Sequence, residues 1–435
     1  MGTQGYSAKT KVVTVIAVSF IILLIGGVAL SLLPVNKISF GNGQASPDQA
    51  TTAAIVASST PPEFVVTHIS APQTVKAVYF TSWSAGTPSF QKEMFSLVDG
   101  STEVNSLVID VKDYSGRISF PMDDPEITSA GSVQVRIPDI EQMIAKLHAK
   151  GVYVIGRVAV FQDPFIVKVH PEWAVHNKNT GAIWKDSGGA YWADPDKEAM
   201  WKYVTDIAKQ AYAVGFDEIN FDYVRFPSDG ISTAVFDKTA STTKAHVLKQ
   251  FFSYLHDELS PLGIPISADL FGQTTSDKGD MGIGQYFENA LPYFNYVDPM
   301  VYPSHYISGF LNYTKPAEHP YQIVKYELAT AVTRENVLAL SMASSSALIS
   351  TSSPDVSDIH LAKIRPWLQA FDLGAIYTPA MVHTQMQATA DAGADGWLLW
   401  NAGSVYNREF VMPFVAGSST STITIKPTAS TSETF

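Results

Sequence analysis

The stretch Gly215-Phe216-Asp217-Glu218-Ile219-Asn220-Phe221-Asp222-Tyr223-Val224-Arg225-Phe226-Pro227 decides how this chain is read. Gly215 closes a run of helical period, and the residues after it have the period of a strand, in which alternate side chains share a face. Glu218, Asn220 and Asp222 therefore point one way, and Ile219, Phe221 and Tyr223 the other. Unpaired buried charge is costly, so two carboxylates and an amide on one face of an apolar strand mark a place where they are used. Polar groups gathered at the C-terminal end of a parallel strand are how barrel proteins build their sites. An edge strand with one wet face is the plainer alternative; the apolar opposite face and the helical runs around it weigh against it.

Outward from this stretch, short apolar runs alternate with amphipathic segments. Strands are expected at Val75–Trp83, Ser106–Lys112, Val152–Phe161, Glu218–Phe226, Ile264–Phe271, Val297–Tyr302, Ile364–Phe371 and Gly396–Asn401. Helical periodicity falls between them, at Ile137–Lys150, Lys197–Val214, Ala245–Leu259 and Pro379–Ala392. Eight strands with crossovers long enough for helices predict an α/β fold, a (β/α)8 TIM barrel, with the quoted stretch as its fourth strand. A doubly wound open sheet is the structural alternative. No Gly-x-Gly-x-x-Gly follows the first strand, so a dinucleotide site does not support it.

The ends of the chain read differently. Residues Val12 to Leu33 are 22 nearly unbroken apolar residues without a charge, and roughly 20 suffice to cross a bilayer. Lys9 and Lys11 precede the run, which places residues 1–11 in the cytoplasm as a stub and the bulk of the chain outside. The alternative is a cleaved signal peptide, but the run is long for one and Ser31-Leu32-Leu33 is not a small-x-small site. The expectation is thus a transmembrane helix at 12–33 and a Ser/Thr/Ala/Pro-rich linker at 34–74. A globular domain follows at 75–416, then a Ser/Thr-rich disordered tail at 417–435.

With a formal net charge of −12 and no basic stripe, the chain is not expected to bind nucleic acid. It has no cysteine, hence no disulfide and no thiolate metal site. The ten histidines form no His-x-x-x-His or His-x-His pair, and no Gly-x-Ser-x-Gly elbow occurs. Neither a metal nor a cofactor is expected.

At the predicted strand ends stand Asp110 and Lys112, Arg157, Asp222 and Arg225, Asp269, Tyr302 and His305, Gln369, and Trp400. Cleaving a glycosidic bond needs two carboxyl groups, one to protonate the leaving oxygen and one to act as nucleophile or base. They lie about 5–5.5 Å apart in retaining enzymes and roughly 6.5–9.5 Å in inverting ones. Barrel strands run about 4.8 Å apart, so Asp222 and Asp269, on the fourth and fifth strands, suit either range. Asp110 is a third carboxyl, and Lys112 or Arg157 would hold a neighbouring carboxylate ionised. Each has a plainer reading: an Asp222–Arg225 salt bridge, Asp269 as a helix cap, Asp110 or Asp113 as a turn former, and Trp400 as core.

Several segments together closely resemble a bacterial family of putative glycoside hydrolases, first catalogued as a domain of unknown function. They are Val75–Tyr79, Ser106–Ile118 (SLVIDVKDYSGRI), Val154–Pro164 (VIGRVAVFQDP), His170–Glu172 and Trp192–Pro195. Gly215–Pro227, Ser267–Thr275 (SADLFGQTT), Pro299–Tyr306 (PMVYPSHY) and Arg365–Phe371 (RPWLQAF) continue the series in order. The resemblance implies an exported, often membrane-anchored TIM-barrel domain acting on a cell-envelope or environmental polysaccharide. More loosely, the strand bearing Asp222 is similar to that of α-amylase-like barrels, whose nucleophile is an Asp there. Those barrels carry a Glu as acid on the fifth strand, where this chain has Asp269.

The expectation is therefore a membrane-anchored, extracytoplasmic glycoside hydrolase with Asp222 as nucleophile or base and Asp269 as proton donor. Asp110, Lys112, Arg157 and Arg225 would orient carboxylates or substrate hydroxyls, and Tyr302, His305, Gln369 and Trp400 would contact the sugar. The alternatives are a catalytically inactive carbohydrate-binding barrel at the cell surface and a metal-dependent polysaccharide deacetylase.

Overall fold

The computed structural model describes residues 65–237, 241–347 and 360–413. The expected cytoplasmic stub, transmembrane helix and C-terminal tail lie outside them, as does most of the linker. Among the described residues no helix is long and apolar enough to cross a membrane.

Eight parallel strands close into a barrel. They are β1 (Val75–Phe80), β2 (Ser106–Lys112), β3 (Tyr153–Ala159), β4 (Glu218–Asp222), β5 (Ile266–Phe271), β6 (Tyr296–Val301), β7 in two segments (Lys363–Ile364 and Trp367–Gln369), and β8 (Gly396–Trp400). Each pairs with its sequence neighbour, and β8 pairs with β1, Val75 standing opposite Gly396, so no edge is left in the ring. Pro366 divides β7 because proline has no N–H to give to a ladder. The first segment of β7 pairs with β6 from Tyr296 and Val297, and the second from Met300 and Val301.

Long helices lie between strands: α1 (Pro88–Leu97), α2 (Ile140–His148), α3 (Glu198–Ala213), α4 (Lys244–Leu259), α5 (Pro320–Ala347) and α6 (Pro379–Ala392). In α3 the buried side chains Met200, Trp201, Val204, Ile207, Ala208 and Ala211 recur at helical spacing and form the stripe packed on the barrel. The chain then turns through Gly215, whose φ of +115° is closed to a residue with a Cβ. The outer faces of the strands, such as Ile109, Ile219, Phe221, Ala268 and Leu270, join the main core with the helices. A second, smaller cluster containing Val108, Tyr79, Ile155 and Trp367 fills part of the lumen.

Within the expected linker, the last residues are tied to the N-terminal end of the barrel. His68 stacks on Tyr212 of α3 with ring centroids 3.9 Å apart, and the Ile69 N–H donates to Asp217 Oδ1 at 2.8 Å.

Candidate active site

The period-2 argument holds inside the barrel: Glu218, Asn220 and Asp222 all face the lumen and are all buried. They sit at successive depths, and each layer has its own partners.

The deepest layer is a closed ionic cluster. Arg365, from the break in β7, donates Nη2 to Glu218 Oε1 at 2.6 Å and Nε to Asp298 Oδ1 at 2.9 Å. Ser267 and Tyr153 donate their hydroxyls to the same Glu218 carboxylate, at 2.6 and 3.2 Å. Glu218 is thus fully engaged below the site, as its depth on the strand implies. Burial pushes Asp298 up to about 6, with Arg365 pulling the other way.

One layer higher, Arg157 of β3 gathers the carboxyls of three other strands. Its Nη1 donates to Asp110 Oδ1 at 2.7 Å and its Nη2 to Asp222 Oδ2 at 2.5 Å, while Nε stands 4.0 Å from Asp269 Oδ2. Burial opposes the charge of Arg157, yet Asp222 and Asp110 together hold it well above its ordinary value. Tyr79 donates its hydroxyl to Asp110 Oδ2 at 2.6 Å, and burial pushes the Asp110 carboxyl up against the pull of Arg157.

Asp222 and Asp269 differ in their surroundings. Phe221 pairs with Ala268 across β4 and β5, so the next step along the ladder sets Asp222 beside Asp269. Sharing one guanidinium also keeps the two carboxyls within the roughly 9.5 Å upper limit of glycosidase pairs. Asp222 has Arg157 as counter-charge and accepts the N–H of Tyr223 at Oδ1, 2.5 Å away. Tyr223 adopts a left-handed φ of +54°, a strained conformation for a bulky residue, and this ends β4 at Asp222 rather than at Phe226. Asp269 is 1% exposed and accepts from Asn220 Nδ2 at 2.8 Å and Trp367 Nε1 at 2.7 Å, both at Oδ1. Burial, then the negative charges of Asp222 and Asp298, raises its pKa well above the ordinary carboxyl range. The two plainer readings fail here: Asp222 pairs with Arg157 and not Arg225, and Asp269 receives side-chain donors rather than capping a helix. Asp113, in contrast, is a turn former, accepting the Ser115 N–H at 3.0 Å.

The remaining expected residues divide into those near this cluster and those turned elsewhere. Tyr302 and His305 line a cleft with Phe271, Met300 and Tyr306. Burial and the nearby Asp269 and Asp222 charges raise the Tyr302 phenol, and burial lowers His305 to about 4. Gly272 also lines this cleft; a Cβ there would come within 2.5 Å of the Met300 carbonyl oxygen. Trp400 stacks on Tyr79 at 4.1 Å and has the Arg157 guanidinium 5.1 Å from its ring, so it walls the cluster. Arg225 lies at the mouth, over the ring of Phe271 at 4.9 Å and that of Trp192 at 4.7 Å.

Lys112 and Gln369 are corrections. The β2 register shifts between Asp110 and Lys112, and Lys112 pairs with Asp163 at 2.8 Å and with the Ala159 carbonyl. It pins the loop after β3 instead of the carboxylate cluster. Gln369 spends its amide on loop backbone, accepting from Ser304 N at 3.1 Å and donating to Phe371 O at 2.9 Å. Tyr79, Asp298, Arg365 and Trp367 also build the site, and sequence reasoning does not find them. Alternation along β6 places Asp298 inward and is the one signal that marks it; the others find their partners only through barrel closure. Among the described residues no group of three or more His, Asp or Glu is placed to hold a metal ion.

Known proteins with this architecture include the PgaB (BpsB) glycoside hydrolase domain from Bordetella bronchiseptica. It superposes with a TM-score of 0.52 at 14% identity, over 76% of this chain and 95% of that one. A hypothetical protein from Ruminiclostridium thermocellum is 32% identical over 44% of this chain and 96% of its own, with a TM-score of 0.41. The glycoside hydrolase domain of PelA from Pseudomonas aeruginosa is 10% identical over 77% of this chain and 97% of its own, with a TM-score of 0.40. No curated protein matches the sequence. Residues 77–406 match the family model described as a putative glycosyl hydrolase domain, and the chain belongs to that family.

Proposed function

We propose that this barrel hydrolyses a glycosidic bond with Asp269 as proton donor and Asp222 as nucleophile or base. The observation that carries the reading is the unequal pair on β4 and β5. Asp222 has a guanidinium counter-charge and a backbone N–H. Its neighbour Asp269 is buried, held at one oxygen by Trp367 and Asn220, and raised in pKa. Environments that push two carboxyls apart in this way assign the acid and the base. A protonated Asp269 delivers its proton to the leaving oxygen; the carboxylate of Asp222 then attacks the anomeric carbon or activates water. Arg157 holds Asp222 and Asp110 through its two Nη groups, while Tyr302 and Trp400 bound the space a sugar would enter.

The substrate in this reading is a polysaccharide of the cell envelope or surroundings, met outside the cytoplasm by a domain anchored through Val12–Leu33. That placement rests on the 22-residue apolar run and the lysines before it. Fractionation tests it: the full chain should sediment with membranes, resist carbonate extraction and be open to external protease, and removal of residues 1–33 should release it.

A panel of envelope and plant glycans, scored for new reducing ends, tests the chemistry. Asp222→Asn and Asp269→Asn should each lower kcat on the cleaved glycan by about 10²–10⁴-fold. Full turnover in either variant would refute the assignment.

A further inference from the structure

Three buried arginines stand along the barrel's carboxyl-bearing strands, and they are not treated alike. Arg365 is neutralised by Glu218 and Asp298, and Arg157 by Asp110 and Asp222. Arg225 is 5% exposed yet has no carboxylate within 4.0 Å among the described residues. Its single hydrogen bond to protein there is from Nη1 to the carbonyl of its own neighbour Phe226, at 3.2 Å. The guanidinium lies over aromatic rings, 4.7 Å from the centroid of Trp192 and 4.9 Å from that of Phe271. Its Nε and Nη2 groups are not fully enclosed and keep an opening to solvent.

Its location gives that opening a meaning. Phe271 stands two residues beyond Asp269 on β5, so Arg225 lies against the C-terminal end of the strand that carries Asp269, and the Asp222 charge acts on it. Burial lowers the Arg225 pKa, with Asp222 and Tyr223 compensating in part. A buried charge without a partner is normally paired or removed. Apart from the bond to Phe226, the N–H groups of the fork have no protein acceptor among the described residues, and a planar fork matches a carboxylate through two parallel bonds.

We propose that Arg225 is the receptor for a carboxylate on the substrate, and that the glycan bears a carboxyl-substituted sugar, such as a uronic acid, next to the scissile bond. The proposal rests on the glycoside hydrolase reading and narrows it to acidic glycans. One guanidinium on a chain of net charge −12 suits a glycan with spaced carboxylates rather than a dense polyanion.

Binding tests this separately from turnover. Glucuronate, galacturonate and N-acetylmuramate, with glucose, galactose and N-acetylglucosamine as neutral controls, are titrated into the full chain in detergent, following tryptophan fluorescence. At least one acidic sugar should bind at least about tenfold more tightly than its neutral counterpart, the scale of a charge-assisted bond pair. Arg225→Gln should abolish that difference, and Arg225→Lys should keep only part of it. Arg225→Gln should melt no lower than wild type, because it removes an unpaired buried charge, and this separates lost recognition from lost folding. Equal affinity for acidic and neutral sugars in the wild type, or a preference that survives in Arg225→Gln, overturns the proposal. Asp269→Asn should bind the acidic sugar as wild type does. If acidic sugars bind through Arg225 but no glycan is cleaved, the hydrolase reading fails and the carboxylate receptor stands. If a neutral glycan is cleaved equally well by wild type and Arg225→Gln, the reverse holds.

Discussion

Asp222 and Asp269 are the same residue type on adjacent strands, and their different surroundings give them different chemistry. Asp222 stands against Arg157, whereas Asp269 is enclosed by Trp367, Asn220 and the lumen wall. Part of the upward push on Asp269 comes from the Asp222 charge itself. Replacing Asp222 by Asn removes that charge, so the Asp269 pKa should fall. Infrared titration of the buried carboxyl C=O band would show it; an unmoved or higher midpoint would separate the two groups electrostatically. Both residues are legible in the sequence because strand period and strand end are local properties. Lys112 stands at a strand end as expected, but the register shift after Asp110 leaves it paired with Asp163 instead of the carboxylate cluster. Gln369 is on a strand end as expected, but two loops that the sequence does not position claim its amide.

Among the elements, helix α5 has a specific task beside the cleft. Arg334 on it donates to the carbonyls of Thr274, Thr275 and Asp277, and Glu327 accepts the hydroxyls of Thr275 and Ser276 at 2.5 and 3.0 Å. These bonds hold the turn after β5 that carries Gly272 and Gln273 into the cleft lining. Burial raises Glu327 from 4.5 to about 7. Between those values the native state keeps a proton that the unfolded chain has released, so this contribution to stability is complete below about pH 4.5 and disappears as pH rises through about 7. The stability advantage of wild type over Glu327→Gln should therefore shrink by up to about 3 kcal/mol between pH 4.5 and pH 8. Urea melts at several pH values would measure it, and a pH-independent difference would place the Glu327 proton elsewhere. The expected strands lie where the observed ones do, apart from β1, which ends at Phe80 because a helical turn begins at Ser82, β4, shortened by the left-handed Tyr223, and β7, split at Pro366. None of these local conformations has a mark in hydrophobic period.

For the whole molecule, closure of the ring is what brings Arg365 onto Glu218 and Asp298, which are 147 and 67 residues away along the chain. Removing one partner of a buried ionic cluster leaves uncompensated charge, so Arg365→Leu should lower stability by about 3–5 kcal/mol. Denaturant melts check this; a loss under about 1 kcal/mol would mean that the lumen repacks without the cluster. The sequence by itself determined the eight-strand order and the shared face of Glu218, Asn220 and Asp222 on β4, because period and side-chain alternation depend only on neighbouring residues. Only the tertiary structure decided the partners: Arg157 rather than Lys112 at the carboxylates, Trp367 on Asp269, and Arg225 left without a carboxylate among the described residues. The physical reason is that a pairing across a closed barrel is set by the register and depth of distant strands, and neither is a property of any one stretch of chain.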